Sequence, residues 1–303
     1  NNSTFRYGPN QYLNTIDMFT IDKIEVAKGI GAIEFGSDAM GGVINLSTKE
    51  NEYSSRPIIH ASTLGKFISS NMEQTSRSEI SFSNAGIAIQ GGLSFRNFGN
   101  LKGGGNVGVQ NPTGYNENNI DLKVKLKITK QDEIIIATQN TIQHNVPIYH
   151  KLILENYRIN EVEKQARNLN YVKYKHVNNN KWFAEFLVTA STQRTIEQRS
   201  LQKINSTIHR NEADTVHTIG MTSEIISKPT KFWTFNTGFD YYQDNIYSSA
   251  KELNQQTNTT EFKRGLYPNA AKYNNSSLFN LHHFQLGRLF IETGLRYNFL
   301  KIN

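Results

Sequence analysis

The chain has 303 residues, 33 Lys+Arg against 26 Asp+Glu, a net charge of +7, and only 37% apolar and 19% charged residues. Soluble domains usually hold about 45–50% and about 25% of these, yet 11% of this chain is aromatic, with 17 Phe and 14 Tyr, so it is not a disordered polymer. With no Cys it has neither a disulfide framework nor a Cys-based metal site, and no apolar run approaches the ~18 residues of a membrane helix.

Two architectures read as polar on average while presenting a broad apolar face. One is an antiparallel sheet with one wet side; the other is a membrane barrel with a wet lumen. The opening NNSTFRYGPN has no basic n-region and no apolar h-region, so it does not read as a secretory signal. Either a signal has been removed or the chain is a piece of something longer, and the expectation is a piece.

Residues 1 to about 50 carry a glycine cluster (Gly29, Gly31, Gly36, Gly41, Gly42) between alternating runs at 21–27 and 43–46. These read as two short strands joined by a glycine-rich turn, with 38–40 starting a helical turn. From about residue 57 the period is two, over and over. Ile120, Leu122, Val124, Leu126 and Ile128 alternate with Asp121, Lys123, Lys125, Lys127 and Thr129, and similar runs recur to the end. Side chains on a strand point to opposite faces in turn. Eleven strands are expected, near 57–69, 75–83, 87–96, 119–129, 133–143, 168–176, 181–193, 215–226, 231–245, 276–285 and 289–300. Short turns at 84–86, 130–132, 178–180, 228–230 and 286–287 alternate with long polar links at 97–119, 146–167, 194–214 and 248–275. That asymmetry is the one a transmembrane barrel shows. Aromatics near the short turns (Tyr174, Trp182, Phe183, Phe232, Trp233, Phe284, Phe290) and near the long links (Tyr241, Tyr242, Tyr247, Phe299) fit two interfacial girdles. The ~50-residue spacing also suggests a kelch-type propeller, but a blade needs four short strands per repeat.

Residues 21–49 resemble the end of the plug domain of TonB-dependent outer-membrane receptors. Two blocks carry the resemblance in order: Asp22-Lys23-Ile24-Glu25-Val26 with Lys28-Gly29, then Phe35-Gly36-Ser37, Ala39 and Gly41-Gly42-Val43-Ile44-Asn45. The chain departs from the family's habit at Ile30, usually Pro, and at Gly31-Ala32. The resemblance implies an all-β fold: an antiparallel up-and-down transmembrane β-barrel, here about eleven of twenty-two strands. Residues 1–52 would be the C-terminal part of the plug and 53–303 the first half of the barrel. It implies a receptor in the outer membrane of a Gram-negative bacterium, energised by the TonB complex, with no enzymatic activity, no cofactor and no metal site of its own.

The motif residues Lys23, Glu25, Lys28, Gly29, Gly36, Ser37, Gly41, Gly42 and Asn45 belong to that plug tail. A cation on the lipid face costs about 2–4 kcal/mol at mid-bilayer, so Lys123, Lys125 and Lys127 belong in the lumen, with Glu185 and Arg296. Lys23, Glu25 and Lys28 are candidates to pair with Glu185 or Arg296. Exposed ion pairs are worth little. Tyr115, Tyr149, His150 and Tyr157 are loop candidates for gripping a ligand. A positive lumen favours an anionic cargo such as an iron-siderophore complex; His144 and His150 suggest haem, and an oligosaccharide is the further alternative. A soluble β-rich enzyme or carbohydrate-binding module would need a carboxylate pair or a nucleophile with its base; no G-x-S-x-G, H-E-x-x-H or phosphate loop occurs. The basic residues are spread along the chain without a readout motif, so nucleic acid is not an expected partner.

Overall fold

The computed structural model describes residues 12–36 and 42–303. Strands β1 (Ile21–Ala27) and β2 (Val43–Thr48) pair antiparallel as a sheet of their own. The second sheet runs through β3 (Ile58–Ile68), β4 (Glu73–Ser83), β5 (Ile87–Phe98), β8 (Tyr115–Lys127), β9 (Asp132–Pro147), β10 (Tyr157–Val177), β11 (Glu185–Lys203), β12 (Ile208–Ser227), β13 (Trp233–Asn254), β15 (Ala271–Leu286) and β16 (Leu289–Ile302). Each strand pairs antiparallel with the next in that order. Two elements, β6 (Leu101–Gly103) and β7 (Gly108–Gln110), form a hairpin in the β5–β8 link, and α1 (Tyr149–Leu154) lies in the β9–β10 link. Strand β14 (Thr259–Lys263) pairs with the far end of β13. This is an all-β, up-and-down wall of part of a transmembrane barrel.

The alternation resolves into two unlike faces. Ile120, Leu122 and Ile128 are 51%, 43% and 57% exposed, whereas Lys123 and Lys125 are 9% and 7% exposed. The apolar face therefore looks outward and the cations look toward the concave side. A lipid-facing wall has this polarity, the inverse of a soluble core. The outward face near the short turns carries an aromatic cluster. Trp233 stacks on Phe235 at 5.3 Å and Phe284 at 6.0 Å, meets Trp182 edge-on at 6.1 Å, and its Nε1 donates to His282 Nδ1 at 3.1 Å. Rings with one polar edge suit the headgroup level.

The eleven expected strands are all present, but four are much longer than the alternation suggests: β10–β13 have 21, 19, 20 and 22 residues. The long links 194–214 and 248–275 are largely strand, and the connections at 69–72 and 204–207 are as short as those at the opposite end. Strict alternation of tight turn and long loop is therefore not kept. Backbone groups must be paired whatever the side chains are, so the ladder continues past the apolar band. There both faces are wet and the period of two fades from the sequence. Trp182 and Phe183 lie in the turn before β11 rather than in it. The expected glycine-rich turn after β1 is a 3-10 segment, Gly29–Phe35, and the helical turn expected at 38–40 lies outside the described residues.

Candidate functional site

The N-terminal segment lies against the concave face, and polar contacts hold it there. Asp17 caps the 3-10 turn Met18–Thr20, accepting from Phe19 N at 3.1 Å, while Thr20 Oγ1 donates to its carbonyl at 2.7 Å. Its other oxygen, Oδ2, faces the wall, where it accepts from Arg77 Nη1 at 3.1 Å and Ser94 Oγ at 2.5 Å. Arg77 also donates to Asp121 at 2.8 Å and to Glu79 at 2.9 Å. Its guanidinium lies over Gly92 of β5, where a Cβ would sit 2.3 Å from Nη2. That close approach explains a glycine in mid-strand. Beside this hub, Arg96 bridges Glu73 at 3.2 Å and Glu117 at 3.0 Å. Gln143 donates to Glu117 at 2.7 Å and to the carbonyl of Asn14 at 2.8 Å.

A second contact pins the exit from β2. Lys123 Nζ donates to Thr48 Oγ1 at 2.8 Å, to the Lys49 carbonyl at 2.9 Å and to the Thr48 carbonyl at 3.2 Å. Glu50 lies 3.5 Å from Lys123 and 3.3 Å from Lys125. Burial disfavours the charge on Glu50, but the two ammonium groups outweigh it and hold the carboxyl below its ordinary range. Across the concavity, Arg296 of β16 donates to the Ile33 carbonyl at 3.0 Å and pairs with Asp240 at 2.8 Å, and Asn236 donates to Glu34 at 2.7 Å.

The residues singled out in the sequence fall into three groups. Lys23 pairs with Glu25 on β1, and Asn45, directly opposite on β2, donates to Glu25 at 3.2 Å. The expected partner Glu185 pairs with Lys175 at 3.0 Å instead. Lys28 precedes the 3-10 segment. Gly29, Gly36 and Gly42 have φ of +69°, +130° and +126°, which side chains rarely adopt. Ser37 and Gly41 lie outside the described residues. Lys127 is exposed and, like Lys125, stands over the Tyr53 ring, at 5.7 and 5.3 Å. Of the ligand candidates, Tyr115 is the first residue of β8, stacked on Phe98 at 4.4 Å. Tyr149 and His150 begin α1, and Tyr157 begins β10 with Lys203 Nζ 3.7 Å from its ring centroid. His144 lies on β9, apart from His150 on α1. No cluster of His, Cys, Asp or Glu fit for a metal ion occurs among the described residues. Asp17, Arg77, Asp121 and Glu50 were not singled out. The wet-face alternation places Arg77 and Asp121 inside, but no local signal pairs a charge at 17 with one at 77.

The family described as TonB-dependent Receptor Plug Domain matches residues 1–43. Among solved structures, the copper transporter OprC superposes with a TM-score of 0.77 at 14% identity, over 93% of this chain and 43% of that one. The chain has the plug-and-barrel fold of the TonB-dependent receptors. The siderophore receptor PirA from Pseudomonas aeruginosa gives 0.62 at 14% identity, over 97% and 47%, and the ferric citrate transporter FecA in its unliganded form gives 0.64 at 12%, over 94% and 44%. No curated protein matches the chain. The chain spans less than half the length of these receptors. The plug-family match ends at residue 43, and the N-terminal segment meets the wall along a seam around Arg77, Lys123 and Arg296.

Proposed function

We propose that the chain is the plug tail, residues 1–52, and the first half of the barrel, residues 53–303, of an outer-membrane receptor of a Gram-negative bacterium that imports a scarce ligand with energy delivered through TonB. An iron chelate of the siderophore type is the cargo class this reading favours. One observation carries it: the seam between plug and wall is built of charge pairs and hydrogen bonds, with Asp17, Thr48, Glu50, Ile33 and Glu34 as the plug's contacts. Such a seam locates the plug in one register yet exposes little apolar surface when it parts, as an energised movable stopper requires. The similar structures include carriers of copper and of ferric chelates, and the inward Lys123 and Lys125 favour an anionic cargo. Tyr115, Tyr149, His150 and Tyr157 stand at the loop end as its first contacts. TonB, outer-membrane lipid and the small-molecule ligand are the partners, and no enzymatic step is assigned.

The test is growth and uptake of radiolabelled ferric chelates in a strain deleted for the complete gene, with and without TonB. The deletion should abolish uptake of at least one ferric chelate, and TonB removal should do the same. Normal iron uptake with lost growth on haem or on a defined oligosaccharide would move the cargo to that class.

A further inference from the structure

Strands β14 and β15 are one strand that has been interrupted. Both run antiparallel to β13: β15 pairs from Ile246 down to Trp233, and β14 pairs from Ala250 up to Asn254. The seven residues 264–270 between them have no ladder partner and turn to the inner face. Ser248 receives them. Its Oγ accepts from Tyr267 N at 3.1 Å and donates to Asp214 at 2.5 Å, and its backbone N–H, freed from the ladder, donates to Asn269 Oδ1 at 3.3 Å. Gly265 is pressed so closely on β13 that a Cβ would lie 2.2 Å from Ser248 Oγ and 2.6 Å from Ser249 N. Tyr267 and Ala271 pack on Val216 and Ile246, which are 4% and 5% exposed although they face the lumen. Their neighbour Tyr247, pointing outward, is 51% exposed. Asp240, which contacts the plug's anchor Arg296, lies eight residues before Ser248 on β13, about 26 Å along the strand.

We propose that segment 264–270 is an inner ledge that narrows the lumen between its mouth and the plug, that Ser248 is its positioning residue, and that the ledge sets the largest ligand able to descend. This rests on the import reading above. A loop with no ladder partner would otherwise extend into water; here one serine hydroxyl, one glycine and the packing of Tyr267 on Val216 and Ile246 hold it against the wall.

The experiment places a thiol at Val216→Cys in the complete receptor, in intact cells, and labels it from outside with a compact methanethiosulfonate and a bulky polyethylene-glycol maleimide. With the ledge unaltered, the compact reagent reacts and the bulky one scarcely does. Access in such a site follows local opening, so Gly265→Val, and more mildly Ser248→Ala, should raise the bulky-to-compact ratio at least ~tenfold. A thiol at Leu266→Cys, on the ledge itself, reports that each variant is folded and at the surface. An unchanged ratio in both variants, or free bulky labelling of the unaltered receptor, overturns the ledge. In the same strains the uptake ratio of bulky to compact ferric chelates should rise in parallel; a changed labelling ratio with an unchanged uptake ratio overturns its role in selection. If the unaltered receptor imports no chelate at all, the cargo reading falls, and labelling alone still decides the ledge.

Discussion

Arg77 holds three carboxylates, Asp17 from the plug and Asp121 and Glu79 from the wall, and is itself buried. A buried pair stripped of one partner leaves an uncompensated charge, a loss of about 3–5 kcal/mol. Arg77→Met should therefore cost more than Asp17→Asn, which keeps the cap on Met18–Thr20 and removes only the plug's charge. Urea-induced release of the plug in the complete receptor, followed by proteolysis within residues 12–20, measures both; equal midpoints would show that the hub does not hold the plug. Glu50 adds a pH dependence. Its folded pKa lies below the ordinary 4.5, so its contribution is fully present above that value and is lost as the pH falls through the folded one. Protease sensitivity of the linker around residue 50 should rise on acidification below about pH 4.5, and Lys123→Gln should flatten that rise. None of these pairings was legible in the sequence. Asp17 and Arg77 are sixty residues apart, and charge patterning assigns a face but not a partner. For the same reason Lys23 and Glu25, paired with each other, were weighed against distant wall charges.

At the scale of the strand, the inner and outer faces were legible because lipid and a wet lumen impose opposite chemistry on alternate residues. On β8 the exposed Ile120 and Leu122 alternate with the buried Lys123 and Lys125, as a period of two describes, whereas Lys127 at the strand's end is exposed. The strand ends were not legible, because β10–β13 run on past the apolar band, where Gln193–Lys203-type sequences are polar on both faces. The plug hairpin was legible through its glycines, and Gly42 shows why: at φ +126° a Cβ would stand 2.9 Å from the Ala27 carbonyl. Gly42→Val should open the β1–β2 ladder, seen as loss of hydrogen-exchange protection at 43–48, while the wall keeps its protection. The outward face makes a separate prediction. Val124 is the middle of the five alternating apolar residues from Ile120 to Ile128 that run along β8 and just past its end, so Val124→Lys puts a cation at mid-bilayer, at a cost of about 2–4 kcal/mol. Folded yield into lipid vesicles should fall accordingly. A Lys at 124 as harmless as the natural Lys123 would mean that this face does not meet lipid.

At the scale of the molecule, the wall in the described residues has two free ladder edges, β3 on one side and β16 on the other. A barrel removes its edges only by closing, and the matched receptors are more than twice as long as this chain. The outward band has no inner apolar layer to turn toward: the concave side is filled with Arg77, Arg96, Lys123 and their carboxylates. Folding inside out in water would bury these charges, so the 303-residue chain on its own should require detergent and should associate along its β3 and β16 edges. Planar-bilayer recordings separate this from a small self-closed pore. The isolated chain should give no discrete conductance steps, because a sheet of eleven strands with both edges unpaired encloses no lumen. Stable unitary steps from the purified chain would mean that β3 and β16 meet, and residues 53–303 would then be a complete small barrel rather than half of a larger one.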